Sequence, residues 1–185
     1  NDPQSFSVEA WKIAQAQTEP DLKVLHTNLL QELNRGLTAI NLSKDQFGNG
    51  PRLQSQADLE TLFEGIDLVA APLFMQLDIA EAETLPLLLS YLREQGYDLK
   101  TFSCGVGFDP TGELAREGEL PLELHLLWDK VLSYVKLAVD NAPKWRCLSI
   151  DGTIYEAAGA SSTQELAFVL STAIGYIQGL QASGF

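Results

Sequence analysis

The sequence predicts an α/β fold on a parallel sheet. Short apolar runs alternate with longer stretches of helical period, and glycine or proline punctuates almost every junction. Five such strand-helix pairs follow one another in 185 residues. Parallel neighbours need a crossover connection, and a helix is the usual one.

The first strand is predicted over 11–15, an apolar run opened by Trp11. Its helix has Thr18 as N-cap and Pro20 in the first turn, carries Leu25, Leu29 and Leu33, and stops at Gly36. The second strand is predicted over 37–42, with a helix from Ser55 through Leu59, Leu62 and Phe63 to Gly65. The third spans 68–75, although Pro72 cannot donate to a central ladder. Its helix covers 85–95 and ends at Gly96.

The fourth strand is predicted over 99–106, and its helix over 122–140 sets Leu124, Leu127, Val131, Val135 and Ala138 on one face. A fifth strand follows over 146–150, with a turn between Gly152 and Gly159. Ser162 and Glu165 have capping-box spacing. The last helix is expected to bury Leu166, Val169, Leu170, Ala173, Ile174, Ile177 and Leu180.

Counting alone favours an open five-stranded sheet of flavodoxin type, since a (β/α)8 barrel needs eight strands and roughly 250 residues. Either way, functional groups belong at the carboxyl ends of strands: 43–54, 77–83, 107–120 and 152–161. No linker-like shift in composition divides the chain, so 1–185 is expected to form a single domain.

A composition of 45% hydrophobic and 20% charged residues is that of a soluble globular protein. A formal charge of −13 with 12 basic residues argues against nucleic acid as a partner. The chain has no apolar run of 18 residues, and residues 1–5 lack the basic and apolar regions of a leader. A cytoplasmic location with no membrane partner is therefore expected. Cys104 and Cys147 lack CxxC or histidine partners and read as reduced core thiols, so no metal is expected.

Asp151 and Glu156 flank the fifth-strand turn and could pair for acid/base work. With no partner base in the pattern, one helix-proximal acid and one solvated acid is the preferred reading. Gly105 and Gly107 lack the third glycine, helix start and lysine of a phosphate loop. Trp11, Trp128 and Trp145 read as core or interface anchors. His26 and His125 lie on predicted helices and read as structural or solvent-edge groups.

Five segments occur in order: WKIAQ from Trp11, ELNRGLTAINL from Glu32, LFEGID from Leu62, GFDPTG from Gly107 and AGASSTQELA from Ala158. Together they resemble the barrel domain of the methylmalonyl-CoA mutase family, with most likeness to its small, non-catalytic β-type subunit. The resemblance runs from about Trp11 to Phe185 and implies a TIM-type barrel, of which this chain supplies about five βα units.

The resemblance further implies an adenosylcobalamin-dependent holoenzyme that interconverts methylmalonyl-CoA and succinyl-CoA. Catalytic members carry an Arg-Gln-Tyr run where this chain has Ala14, Gln15 and Ala16, and a thioester-contacting histidine where it has Ile154. Alanine and isoleucine neither donate a hydrogen bond nor carry a proton. Arg116 falls near the place of a substrate-carboxylate arginine, but a solvated arginine is the preferred reading. Arg116, Asp151, Tyr155 and Glu156 are the rim candidates for substrate binding.

No cobalamin-binding domain is expected within this chain, and the chain alone is expected to bind no cofactor and to be inactive. A large catalytic mutase subunit is the expected partner, with self-association through open sheet edges in its absence. The alternatives are an acyl-CoA-binding module without chemistry and a free-standing flavodoxin-like binding domain.

Overall fold

The computed structural model describes residues 11–44, 48–120 and 122–185. The leader reading at 1–5 lies outside them. In chain order the elements are β1 (Ala16–Gln17), α1 (Leu22–Asn34), β2 (Ile40–Leu42), α2 (Gln56–Phe63), β3 (Leu73–Leu77), a 3₁₀ turn (Ile79–Glu81) and α3 (Thr84–Glu94). They continue as β4 (Gly105–Phe108), α4 (Pro110–Glu117), α5 (Leu124–Asn141), α6 (Thr153–Ala157) and α7 (Ser162–Ala182).

The four strands pair in parallel in the order β1-β2-β3-β4, and Phe108 adds a parallel bridge to Leu148. A doubly wound sheet reverses direction at an internal switch point, with its first strand inside the sheet. Here β1 lies at the edge and each crossover steps to the next neighbour, the order of consecutive barrel strands. Right-handed crossovers that all advance in one direction lay their helices on one face.

Burial alternates along β2 and β3 accordingly. Ile40, Leu42, Leu73, Met75, Leu77, Val106 and Phe108 are buried in one core with Leu25, Leu29, Leu59, Leu62, Leu85 and Leu88 of α1, α2 and α3. Asn41, Phe74 and Gln76, on alternate positions, are half-buried. Ala16, Asn41, Phe74 and Gly105 form one row across the sheet. The Phe74 ring covers Gly105 so closely that a Cβ there would lie 2.7 Å from its Cδ1.

Several sequence expectations shift. The first strand falls at Ala16–Gln17 rather than 11–15, although Ile13 still accepts the Thr38 and Ala39 amides. Trp11 is 90% exposed and belongs to no core, whereas the buried Trp145 donates to the Val106 carbonyl at 2.9 Å. β3 begins just after Pro72, which needs no donor there and accepts the Ile40 amide. β4 begins six residues late, because the Asp98 carbonyl accepts the Thr101 and Phe102 amides and holds 99–101 in a turn. Of the predicted fifth strand, the Leu148 bridge is what forms.

The last helix is capped one residue early, by Ser161 and Gln164. Its docking face is shifted: Val169, Ala173 and Leu180 are half-buried and Tyr176 is buried, whereas Leu166, Leu170, Ile174 and Ile177 are exposed. With Glu165 as the single charged residue of α7, apolar periodicity could not choose a face. On α5, Leu127, Val131, Val135 and Ala138 are buried as expected, and Leu124 is exposed.

Candidate functional site

An aspartate follows each of the last three strand segments. Asp78 follows β3 and donates its amide to the Glu81 carboxylate at 3.2 Å, while its backbone carbonyl accepts the Glu81 amide at 2.9 Å. Asp109 follows β4 and caps α4 by accepting the Gly112 amide at 3.0 Å. Asp151 lies past the Leu148 bridge and accepts from the Thr153 amide and hydroxyl at 2.9 and 2.6 Å, opening α6. At Asp109 and Asp151 the short acid satisfies orphan amides of the turn that leaves the sheet, whereas the Asp78 carboxylate faces Lys44 and Arg116.

Two polar clusters grow from these aspartates. In the first, Asp78 pairs with Lys44, which follows β2, and with Arg116 of α4 at 2.8 Å. Lys44 also bonds Glu81 at 2.8 Å. The loops after β2, β3 and β4 are thereby tied together. Burial works against the Lys44 charge, but its bonds to Asp78 and Glu81 outweigh it and raise its pKa. Arg116 is likewise raised, with Glu117 and Asp78 offsetting burial. Glu113, buried beneath, accepts the Ile79 amide at 3.1 Å, and desolvation raises its carboxyl above the ordinary range.

In the second cluster, Asp109 is 3% exposed. Its Oδ1 accepts from the Tyr176 hydroxyl at 2.6 Å and its Oδ2 from the Asp151 amide at 2.8 Å. The Tyr176 hydroxyl accepts the Thr111 amide at 2.9 Å. Burial, then the bond to Asp109, pushes the Tyr176 phenol up.

Beside the first cluster lies a cleft of about 620 Å³ whose lining includes Lys44, Arg52, Leu53, Met75, Glu83 and Leu87. Lys44 is spent on Asp78 and Glu81, while Arg52 is exposed on the rim.

The rim candidates do not converge. Arg116 is exposed, as the preferred reading has it, and also pairs with Asp78 at 2.8 Å. Asp151 turns its carboxylate to Thr153, and Tyr155 packs on Phe168 with centroids 5.0 Å apart. Glu156 is exposed on α6, and among the described residues no hydrogen bond or ion pair joins it to Asp151. Ala14 and Ala16 are exposed at the β1 edge, and Ile154 is half-buried on α6. Lys44, Asp78, Glu81, Asp109 and Tyr176 escaped the sequence reading. An aspartate directly after the strand is the signal that could have found Asp78 and Asp109; no sequence signal marks Lys44, Glu81 or Tyr176.

The methylmalonyl-CoA mutase family model matches residues 2–185. The chain belongs to that family. It is 29% identical over 178 residues to the methylmalonyl-CoA mutase small subunit of Propionibacterium freudenreichii subsp. shermanii, which covers 96% of this chain and 26% of that protein. It is 25% identical over 182 residues to the methylmalonyl-CoA mutase small subunit of Streptomyces virginiae, covering 98% of this chain and 28% of that protein. The chain thus spans about a quarter of the length of these relatives.

The residues present do not fit a cobalt ligand from histidine. His26 Nδ1 lies 3.0 Å from the Leu62 carbonyl on the helix layer, and His125 is an exposed group beside Glu123. Among the described residues no group of three or more His, Cys, Asp or Glu could hold a metal. Cys104 and Cys147 are buried free thiols whose pKa values burial pushes up. Among the described residues no helix is long and apolar enough to cross a membrane.

Proposed function

We propose that this chain is a non-catalytic, small-subunit-type domain of an adenosylcobalamin-dependent methylmalonyl-CoA mutase. A partner large subunit carries out the interconversion of methylmalonyl-CoA and succinyl-CoA. The observation that carries this reading is that Asp78 engages both Lys44 and Arg116, so these two cations at the strand ends are spent on bracing loops. Ala14, Ala16 and Ile154 supply no proton or hydrogen bond of their own. The names of the two relatives support the subunit assignment.

Light scattering on size-exclusion fractions of this chain mixed with a large mutase subunit tests the reading. A one-to-one complex, with mutase turnover absent from this chain alone, is expected. Separate elution, or turnover by this chain by itself, overturns it.

A second reading, an acyl-CoA-binding module, is favoured by the cleft, where Arg52 stands beside the apolar side chains of Leu53, Met75 and Leu87. Against an axial path for the acyl chain stands Phe74, whose ring covers Gly105. Saturable calorimetric titration by an acyl-CoA thioester, lost in Arg52→Ala, is the result this second reading requires.

A further inference from the structure

Among the described residues of the 21-residue α7, Tyr176 alone is buried. Its ring stacks on Trp128 at a centroid distance of 6.1 Å, and its hydroxyl lies between the Asp109 carboxylate and the Thr111 amide. One turn further on, Gly179 presses so closely on Trp128 that a Cβ would strike the ring. Leu166, Leu170, Ile174 and Ile177 contribute little to docking, being exposed.

The second oxygen of Asp109 takes the Asp151 amide, which opens the turn into α6. One buried carboxylate therefore holds both the start of α6 and the middle of α7. Freeing Tyr176 leaves Asp109 Oδ1 with the Gly112 amide as its remaining donor and takes the acceptor from the Thr111 amide, the costly kind of loss, and loosens the Asp151 anchor on the same carboxylate. The two attachments are coupled through Asp109.

We infer that Asp109 and Tyr176 form a latch that docks residues 151–182 as one unit, able to open while β1–β4 and α1–α5 stay folded. The device is conformational: it sets whether the apolar helix α7 lies on this domain or away from it. Local opening of this kind belongs to segments with few buried contacts, and α7 is such a segment.

Native-state hydrogen exchange on the full chain tests the latch. Tyr176→Phe keeps the ring on Trp128 and removes the hydroxyl. Exchange over 151–157 and 162–182 should rise by about tenfold or more, the loss expected for a hydrogen bond to a charged group. Exchange over 22–34, 56–63 and 84–94 should not change. Asp109→Asn should open the same segments, and the double variant should exceed Asp109→Asn by no more than about twofold, because that substitution already disturbs the bond that Tyr176→Phe removes.

Gly179→Ala, which crowds Trp128 without altering the polar groups, should open 151–157 together with 162–182. This keeps the test available where Asp109→Asn does not fold. A rise shared equally by all helices, a rise in α7 that leaves 151–157 unchanged, or full additivity of the two latch substitutions would each overturn the inference.

Discussion

Helices α3 and α7 are both rich in leucine or isoleucine, yet six of the 11 residues of α3 are buried against one of the 21 in α7. α3 confines its apolar side chains to one stripe, so the sheet can cover Leu85, Leu88, Leu89 and Leu92 together while Arg93 and Glu94 face water. On α7, Leu166, Leu170, Ile174 and Ile177 recur at i+4, i+4 and i+3, so they form a stripe beside the docked side of Tyr176 that the domain leaves uncovered. Hydrophobicity alone does not bury a helix; its arrangement relative to the available surface does. The first three βα units own their core, and the last is held by a few specific contacts.

Substitution in the first region gives the largest expected effect. Leu88 is 1% exposed in the shared core, so Leu88→Ala should cost about 2–5 kcal/mol in urea unfolding, the range for buried leucine truncations. A loss under about 1 kcal/mol would mean that α3 is not part of the cooperative core.

A smaller effect sharpens the contrast between backbone and side-chain neighbours. A Cβ at Gly107 would lie 2.8 Å from the Cys147 carbonyl carbon, where the sheet cannot yield. Gly107→Ala should therefore cost roughly 1–3 kcal/mol. Gly105→Ala meets the Phe74 ring instead, which can turn aside, and should cost less. Thermal unfolding of the pair checks the order; equal losses would mean that the strand and the ring yield alike.

Between the two regions, α5 carries Tyr134, whose hydroxyl donates to Glu83 at 2.9 Å. Burial, then that bond, raises its phenol from 10.0 to about 12. The folded state keeps the proton longer than the unfolded chain, so this contribution is complete below pH 10.0 and is lost as pH rises through about 12. Tyr134→Phe should flatten the decline in stability across that window, measured by denaturant unfolding at stepped pH. An unchanged slope would assign the alkaline loss to other groups.

The βα rhythm was legible because glycine and capping signals sit where the helices stop and start: Gly65 and Gly96 have positive φ, and Ser55 closes a capping box with Asp58. Strand bounds were less legible, since apolar runs such as 99–106 continue through turns that a single aspartate imposes. The strand count pointed to an open doubly wound sheet, and the family likeness to a barrel arc; the observed order is that of the arc. The polar clusters were hidden for a different reason. Lys44, Asp78 and Arg116 are far apart in sequence, and only the parallel register brings the ends of β2, β3 and β4 side by side.

The smallest expected effect lies on α7 itself. Leu170 is 53% exposed and Ile174 55% exposed, so truncation leaves no closed cavity. Leu170→Ala and Ile174→Ala should each change unfolding free energy by less than about 0.5 kcal/mol in the isolated chain, the usual range for surface substitutions. The helix itself is not weakened, since alanine has the higher helix propensity. Tyr176→Ala, on the same helix, should cost several times more because it removes the buried ring as well as its hydroxyl. Urea midpoints for the three variants measure this directly. If Leu170→Ala matched Tyr176→Ala, α7 would be docked by its apolar periphery, and the contrast with α3 would disappear.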